Sequence, residues 1–264
     1  MISLARPVHI IKDIYTVDDW FRLAAPAGGA IQWVDGRSAK ELAKAWCGRA
    51  SGPAVPDELQ ALLSTHPDIS GAFFIEAIPE HKVAFDDIPG EPRNTDLVCV
   101  AQRANQRIAI SIEAKADEAF GELVANVLKT PPPSRRPERL ERLCQALFGR
   151  KPGDLPGIGE LRYQLFYGAA AALAYAGQVD ASHALFVVHE FVTPNTRAKK
   201  IDANERDFQN FLSLIMPGTV PIEQRLHGPI RVPGNDFIPG RIPLYIGKVR
   251  IVTGASTLIR ADRP

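Results

Sequence analysis

The sequence predicts an α/β fold in which a central mixed β-sheet is flanked by helices. Ile108, Ile110 and Ile112 alternate with smaller or polar residues, which is the pattern of a half-buried strand. A second apolar, strand-like run lies at residues 184–188, and helical patterns lie between the two runs. Strands that alternate with helices in this way are typical of α/β folds.

The other elements follow from local patterns along the chain. Residues 38–41 form a capping-box pattern, Ser-x-x-Glu, which predicts a helix to about residue 46. A strand is predicted at residues 73–78, with residues 81–85 as its partner or continuation, and a turn-rich loop at 86–92 leads to the next strand. Further helices are predicted at residues 116–128, 136–147 and 202–214, and short strands at 244–252.

Length and composition favour one large globular domain. The chain has 264 residues, of which 45% are hydrophobic and 23% are charged, and no clear linker divides it. We predict a single domain over residues 1–264 with its core at about 70–195. Residues 1–69 would form a helical N-terminal addition, and residues 218–264 a β-rich C-terminal addition.

Several classes of protein are disfavoured by the sequence. The three cysteines, Cys47, Cys99 and Cys144, lack Cys-x-x-Cys spacing and indicate free thiols in a reducing compartment. The N-terminus lacks the pattern of a signal peptide, and the longest apolar run, at residues 165–176, is shorter than the roughly 20 residues that span a bilayer. We therefore expect a cytoplasmic protein with no membrane partner.

Three charged residues are predicted to meet at the end of an apolar hairpin. Glu113 and Lys115 lie two residues apart on one strand, so they share a face with their Cα atoms about 7 Å apart. Asp96 lies on the neighbouring strand and can come alongside them. Two carboxylates and one ammonium in an apolar setting are costly unless a cation or a substrate uses them. A cross-strand ion pair is the simpler alternative.

This pattern resembles the PD-(D/E)xK nuclease superfamily, which is restriction-endonuclease-like in fold, and the N- and C-terminal additions look typical of an uncharacterised bacterial branch. The resemblance covers residues 70–195 and implies Mg²⁺-dependent hydrolysis of phosphodiester bonds, with Mn²⁺ as a possible substitute. It implies that Asp96, Glu113 and the Ala114 carbonyl hold the metal, with Glu80 as a further carboxylate, and that Lys115 orients or deprotonates the attacking water. Removing one clustered carboxylate would relieve repulsion and leave the fold intact.

A helix further along the chain carries two more candidates. Nucleases that resemble the RecB branch have a Gln and a Tyr near the site on the helix after Glu-x-Lys. Gln164 and Tyr167 are one residue closer together than in that branch, but three residues apart still places two side chains on one helix face. The resemblance thus implies a catalytic Gln164 and a nucleic-acid-binding Tyr167; core packing of the aromatic residues is the alternative.

The total charge, formally +1, does not indicate a nucleic-acid-binding protein, but basic residues are clustered. Candidate nucleic-acid-binding residues on one predicted helix are Arg135, Arg136, Arg139 and Arg142. If they contact phosphates, binding should weaken steeply with salt; a solvated helix face is the alternative. DNA is the expected partner, RNA a second possibility, and a homodimer or partner protein a third. A catalytically degenerate protein that binds nucleic acid or protein without cutting remains the alternative function.

Overall fold

Seven strands form a single mixed sheet in the computed structural model, which describes residues 8–10, 13–90 and 92–253. The strands are β1 (His9–Ile10), β2 (Phe73–Val83), β3 (Arg93–Arg103), β4 (Gln106–Lys115), β5 (His183–Val192), β6 (Leu226–Ile230) and β7 (Leu244–Val252). Their order is β1-β2-β3-β4-β5-β7-β6. Strands β2, β3 and β4 pair antiparallel, whereas β4, β5 and β7 run parallel. The predicted mixed sheet is confirmed.

Helices cover both faces of this sheet, as predicted. They are α1 (Val17–Leu23), α2 (Ser38–Cys47), α3 (Asp57–Leu63), α4 (Val124–Leu128), α5 (Arg136–Phe148), α6 (Tyr163–Gln178) and α7 (Ala198–Ile215). Helices α1, α2 and α3 contribute to the core on one face, and α4 to α7 contribute to the core on the other. Among the described residues, no helix is long and apolar enough to cross a membrane.

Strand β4 is buried on both faces from Ile108 to Lys115, which corrects the prediction of a half-buried strand. Its larger residues, Ile110 and Ile112, pack into the core of α1, α2 and α3, whereas Ala109 packs into the core of α6. Because side chains alternate along a strand, Glu113 shares the face of Ala109. The sheet therefore directs the predicted site residues toward α6.

Helix α6 packs unusually close to the sheet because of a glycine. A Cβ atom built on Gly168 would lie 2.5 Å from the ring of Phe186 on β5. Gly168 lies one helical turn after Gln164, so the same close approach brings Gln164 near the sheet. The packing of this helix thus sets the position of one predicted site residue.

We expect Gly168→Ala to destabilise the protein by about 1–3 kcal/mol, because the added methyl group overpacks the contact with Phe186. Gly177→Ala on the same helix is the matched control. Its Cβ would lie 3.3 Å from Pro239, and the gain in helix propensity of up to about 1 kcal/mol offsets that contact. Urea denaturation measures both changes. Equal stabilities of the two variants would contradict the assigned role of Gly168.

Two local predictions are wrong. Residues 116–123 are not helical, and α4 begins only at Val124, because Gly121 has a left-handed backbone (φ 61°) that interrupts a right-handed helix. Ser38 is the first residue of α2 and makes no cap hydrogen bond, so the predicted capping box does not form. Glu41 instead accepts a hydrogen bond from the Gly36 amide at 2.9 Å.

The predicted additions take part in the same sheet as the predicted core. Residues 73–83 form one continuous strand, so residues 81–83 are its continuation rather than a partner. Strand β1 pairs with β2, and β7 pairs in parallel with β5, followed by β6 at the edge. The parts of the additions at residues 1–7, 11–12 and 254–264 lie outside the described residues.

Candidate active site

The predicted catalytic residues line one open cleft of about 540 Å³ at the start of β3 and the end of β4. Asp96, Glu113 and Lys115 lie in it together, and Gln164 borders it from α6. Glu80, the predicted further carboxylate, lines the same cleft. The carboxylates of Asp96 and Glu113 are thus on one side of the sheet, as a shared metal site requires.

Asp96 is held against the neighbouring strand by a backbone contact. Its Oδ2 accepts a hydrogen bond from the Ala114 amide at 2.8 Å. The regular pairing of β3 with β4 ends at Leu97, which lies opposite Ile112. Beyond that point the Asp96 side chain, and not the β3 backbone, accepts the hydrogen bond from β4. This bond fixes the Asp96 carboxylate beside the strand that carries Glu113.

Glu113 and Lys115 form a buried ion pair on the floor of the cleft. Each residue is only 4% exposed, and the Lys115 Nζ donates to Glu113 Oε1 at 2.5 Å. Gln164 Nε2 donates to the same oxygen of Glu113. Two buried charges pay a large desolvation penalty that such contacts offset only in part. The pair is therefore costly to bury.

The protonation of Lys115 follows from its neighbours. Burial lowers the pKa of its ammonium, but the nearby carboxylates of Glu113, Asp96 and Glu118 outweigh that effect, so the pKa lies above its usual value. Lys115 thus carries a positive charge at neutral pH. Its ammonium lies among the carboxylates of Glu113, Asp96 and Glu118.

The oxygen atoms in the cleft suit a hard divalent cation. Asp96 and Glu113 place their carboxylates in the cleft, and Mg²⁺ commonly binds one or two protein carboxylates while it keeps several waters. The Ala114 carbonyl, the predicted third ligand, accepts a hydrogen bond from Lys115 Nζ at 3.1 Å. Glu80 has a left-handed backbone (φ 49°) and accepts a hydrogen bond from Asn94 Nδ2. Within residues 8–10, 13–90 and 92–253, no three His, Cys, Asp or Glu residues are grouped closely enough to hold a metal. The fit therefore rests on the carboxylates of Asp96 and Glu113.

One wall of the cleft comes from the N-terminal segment, which sequence reasoning missed. Gln32, Arg37 and Ala39 line this part of it. Arg37 Nη1 bonds Asp117 Oδ1 at 3.2 Å and so joins this segment to the loop after β4. The two residues are 80 positions apart, and no local pattern in the sequence signals such a contact.

A second cavity, which we call the side chamber, opens next to the cleft. It has a volume of about 600 Å³ and shares Asn94, Gly121 and Gln164 with the cleft. Tyr167 lies in this chamber and not in the cleft itself. Gln164 and Tyr167 thus share a helix face, as expected from their spacing, but they border different parts of the site.

The arginines of α5 and its N-cap are all paired with carboxylates. Arg136 bonds Glu122 at 2.8 Å, and Arg139 bonds Asp86 at 2.7 Å. The remaining pairs are Arg135 with Glu138 and Arg142 with Asp87 and Glu138. Arg136 and Arg139 line the side chamber, whereas Arg135 and Arg142 line neither cavity. Four guanidinium groups are thus matched by four carboxylates, so this helix does not present a bare basic surface.

A second buried ion cluster lies further along the same sheet face. Glu190 on β5 pairs in register with Lys115 and is fully buried. Its Oε2 accepts from Lys248 at 3.0 Å and from Arg250 at 2.7 Å, and Glu205 on α7 contacts both bases. None of these residues lines the cleft. The cluster offers a buried Lys–Glu pair outside the proposed site.

Comparison with known proteins gives one match. Residues 13–253 match the family model described as a domain of unknown function, DUF6946. No curated protein and no solved structure matches the chain.

Proposed function

The chain belongs to the DUF6946 family, and from the geometry of its own cleft we propose that it is a Mg²⁺-dependent nuclease that hydrolyses phosphodiester bonds in DNA. The observation that carries the proposal is the buried Glu113–Lys115 pair, which lies with Asp96 on the floor of an open cleft. A costly buried charge pair that faces an open cleft is a good candidate for a functional site.

The fold supports the proposal at a coarser level. An antiparallel β2-β3-β4 unit followed by α6 and then by β5, parallel to β4, has the element order of the PD-(D/E)xK core. In that arrangement Asp96 lies on the middle strand and Glu113 and Lys115 on the next, as in that superfamily. We therefore propose a restriction-endonuclease-like core.

Each residue has a role that fits its position. Asp96, Glu113 and the Ala114 carbonyl would hold the metal, which when bound acidifies water and offsets negative charge on the phosphate. Lys115 presents an ammonium that would orient the attacking water or a phosphate oxygen. Gln164 fixes the Glu113 carboxylate. In the reaction, water forms a new P–O bond, one ester P–O bond breaks, and the two protons of water end on the leaving alcohol and in solvent.

The test is a cleavage assay on supercoiled plasmid, linear duplex and single-stranded DNA, and on RNA, with Mg²⁺, Mn²⁺ or EDTA. We expect cleavage of DNA that requires the metal, and Lys115→Met should reduce it by about 100-fold or more, the scale of a well-placed catalytic group. A parent protein that cleaves none of these substrates with either metal would refute the proposal.

The matched control for Lys115→Met is Lys248→Met. Lys248 is 6% exposed, is paired with the buried Glu190 on the same sheet face, and lies outside the cleft. Both variants lose a buried ion pair, so both should lower the melting temperature, but only Lys115→Met should lose activity. Equal loss of activity in the two variants would indicate that loss of a buried ion pair lowers activity by destabilising the fold, and that Lys115 has no role in the reaction.

The alternative function is binding of nucleic acid without cleavage. It is favoured by one observation, that Lys115 Nζ already donates to Glu113 Oε1 and to the Ala114 carbonyl, two of the three proposed metal ligands. In this case the parent protein would bind DNA in the cleft but leave it intact with Mg²⁺ and Mn²⁺, and Lys115→Met would weaken binding.

A further inference from the structure

We infer that the side chamber binds an unpaired nucleobase next to the scissile phosphate, so that the preferred substrate is a single strand rather than a continuous duplex. This inference rests on the proposed function and names its substrate class.

The chamber and the cleft are two parts of one groove. Asn94, Gly121 and Gln164 line both, and Gln164 also bonds the Glu113 carboxylate. A phosphate at the carboxylates would therefore place the adjoining nucleoside at the entrance of the chamber. With about 600 Å³, the chamber lies within the range of roughly 300–1,000 Å³ that is typical of small-molecule sites.

The walls combine apolar surface with hydrogen-bonding groups, which suits a flat heterocycle with a polar edge. Phe85 and Ile88 supply apolar surface, and Asn94 supplies a side-chain amide. Tyr163 and Tyr167 line the chamber as an edge-to-face pair with ring centroids 5.2 Å apart. Base–aromatic stacking stabilises single-strand binding with little dependence on sequence.

One arginine connects this aromatic wall to the rim. The Arg136 guanidinium lies 5.9 Å from the centroid of the Tyr163 ring and also bonds Glu122 at 2.8 Å. A planar guanidinium can stack on a base or contact a phosphate. Arg139, by contrast, is bound to Asp86 and to the Ile88 carbonyl, so it holds the wall in place.

A duplex cannot use such a chamber without disruption. A base inside a continuous helix is paired and stacked, and moving it out costs a few kcal/mol, whereas a base in a single strand is already free to enter. The inference therefore predicts tighter binding of single strands than of blunt duplexes of the same sequence.

The test is fluorescence anisotropy with a short labelled DNA strand and its blunt duplex, in Ca²⁺, which binds oxygen ligands like those of Mg²⁺. We expect Tyr167→Leu to weaken single-strand binding by about 5- to 150-fold, the range for loss of one stacked base. Tyr167→Phe keeps the ring and should bind nearly as the parent does. Parent affinities that are equal for the two substrates would overturn the inference.

A surface variant covers the case in which Tyr167→Leu does not fold. Arg136→Gln should selectively weaken single-strand binding. Its control is Arg49→Gln, because both side chains pair with one carboxylate and are similarly exposed, at 38% and 35%. If both variants bind alike, Arg136 acts only through net charge and the inference fails. A protein that binds single strands through the chamber but cleaves no nucleic acid would refute the proposed nuclease function and not this inference.

Discussion

Replacement of Asp96 by Asn should reduce DNA cleavage at least about 1,000-fold, equivalent to about 4 kcal/mol of transition-state stabilisation. The amide keeps an oxygen that can accept the Ala114 N–H, so the contact between β3 and β4 is retained. The lost charge removes one of the two proposed carboxylate ligands. Initial cleavage rates at saturating Mg²⁺ measure the effect, and thermal unfolding should change little.

Asp236→Asn is the control for this variant. Asp236 is exposed and lies outside both cavities, and the change has the same effect on total charge. Cleavage by this control should match that of the parent. If Asp96→Asn cleaves DNA as fast as Asp236→Asn does, Asp96 is not a metal ligand and the proposed site is wrong.

Replacement of Glu113 by Leu should destabilise the fold by about 3–5 kcal/mol, because it leaves the buried Lys115 ammonium without its closest partner. This expectation differs from the one based on sequence, in which loss of a carboxylate relieved repulsion and left the fold intact. The structure predicts a loss of stability instead, because Lys115 and Gln164 both donate hydrogen bonds to Glu113. Urea denaturation measures the loss.

The double variant Glu113→Leu with Lys115→Met separates charge from shape. It removes both charges and keeps apolar volume, and such replacements of buried ion pairs are often neutral or stabilising. It should therefore recover most of the stability lost in Glu113→Leu and remain inactive. A double-mutant cycle with no coupling between the two positions would contradict the ion pair.

The strands around the site were predictable because their signals are local. Alternation along β4 placed Glu113 and Lys115 on one face, and the spacing of Gln164 and Tyr167 placed both on one face of α6. These statements need only the repeat of a strand or helix. The meeting of Asp96 with Glu113 and Lys115 in one cleft follows from the pairing of β3 with β4.

The features that were missed depend on contacts between distant residues. Arg37 reaches the cleft through Asp117, and Arg139 is neutralised by Asp86, 53 positions away. The sequence of an arginine cluster does not reveal which distant carboxylates pair with it in the folded protein. Likewise, a helix was predicted over residues 116–128, but Gly121 has a left-handed backbone next to Gln164. A right-handed helix cannot continue through that conformation, so α4 begins only at Val124.

The matched charges on α5 have a consequence for how the protein would encounter DNA if the proposed function holds. With each of these arginines beside an acid and a net charge of +1, the surface exerts little long-range pull on a polyanion. Diffusional encounter should then proceed at the unsteered rate of about 10⁵–10⁶ M⁻¹s⁻¹ and change little with ionic strength. Capture would then depend on short-range fit after collision.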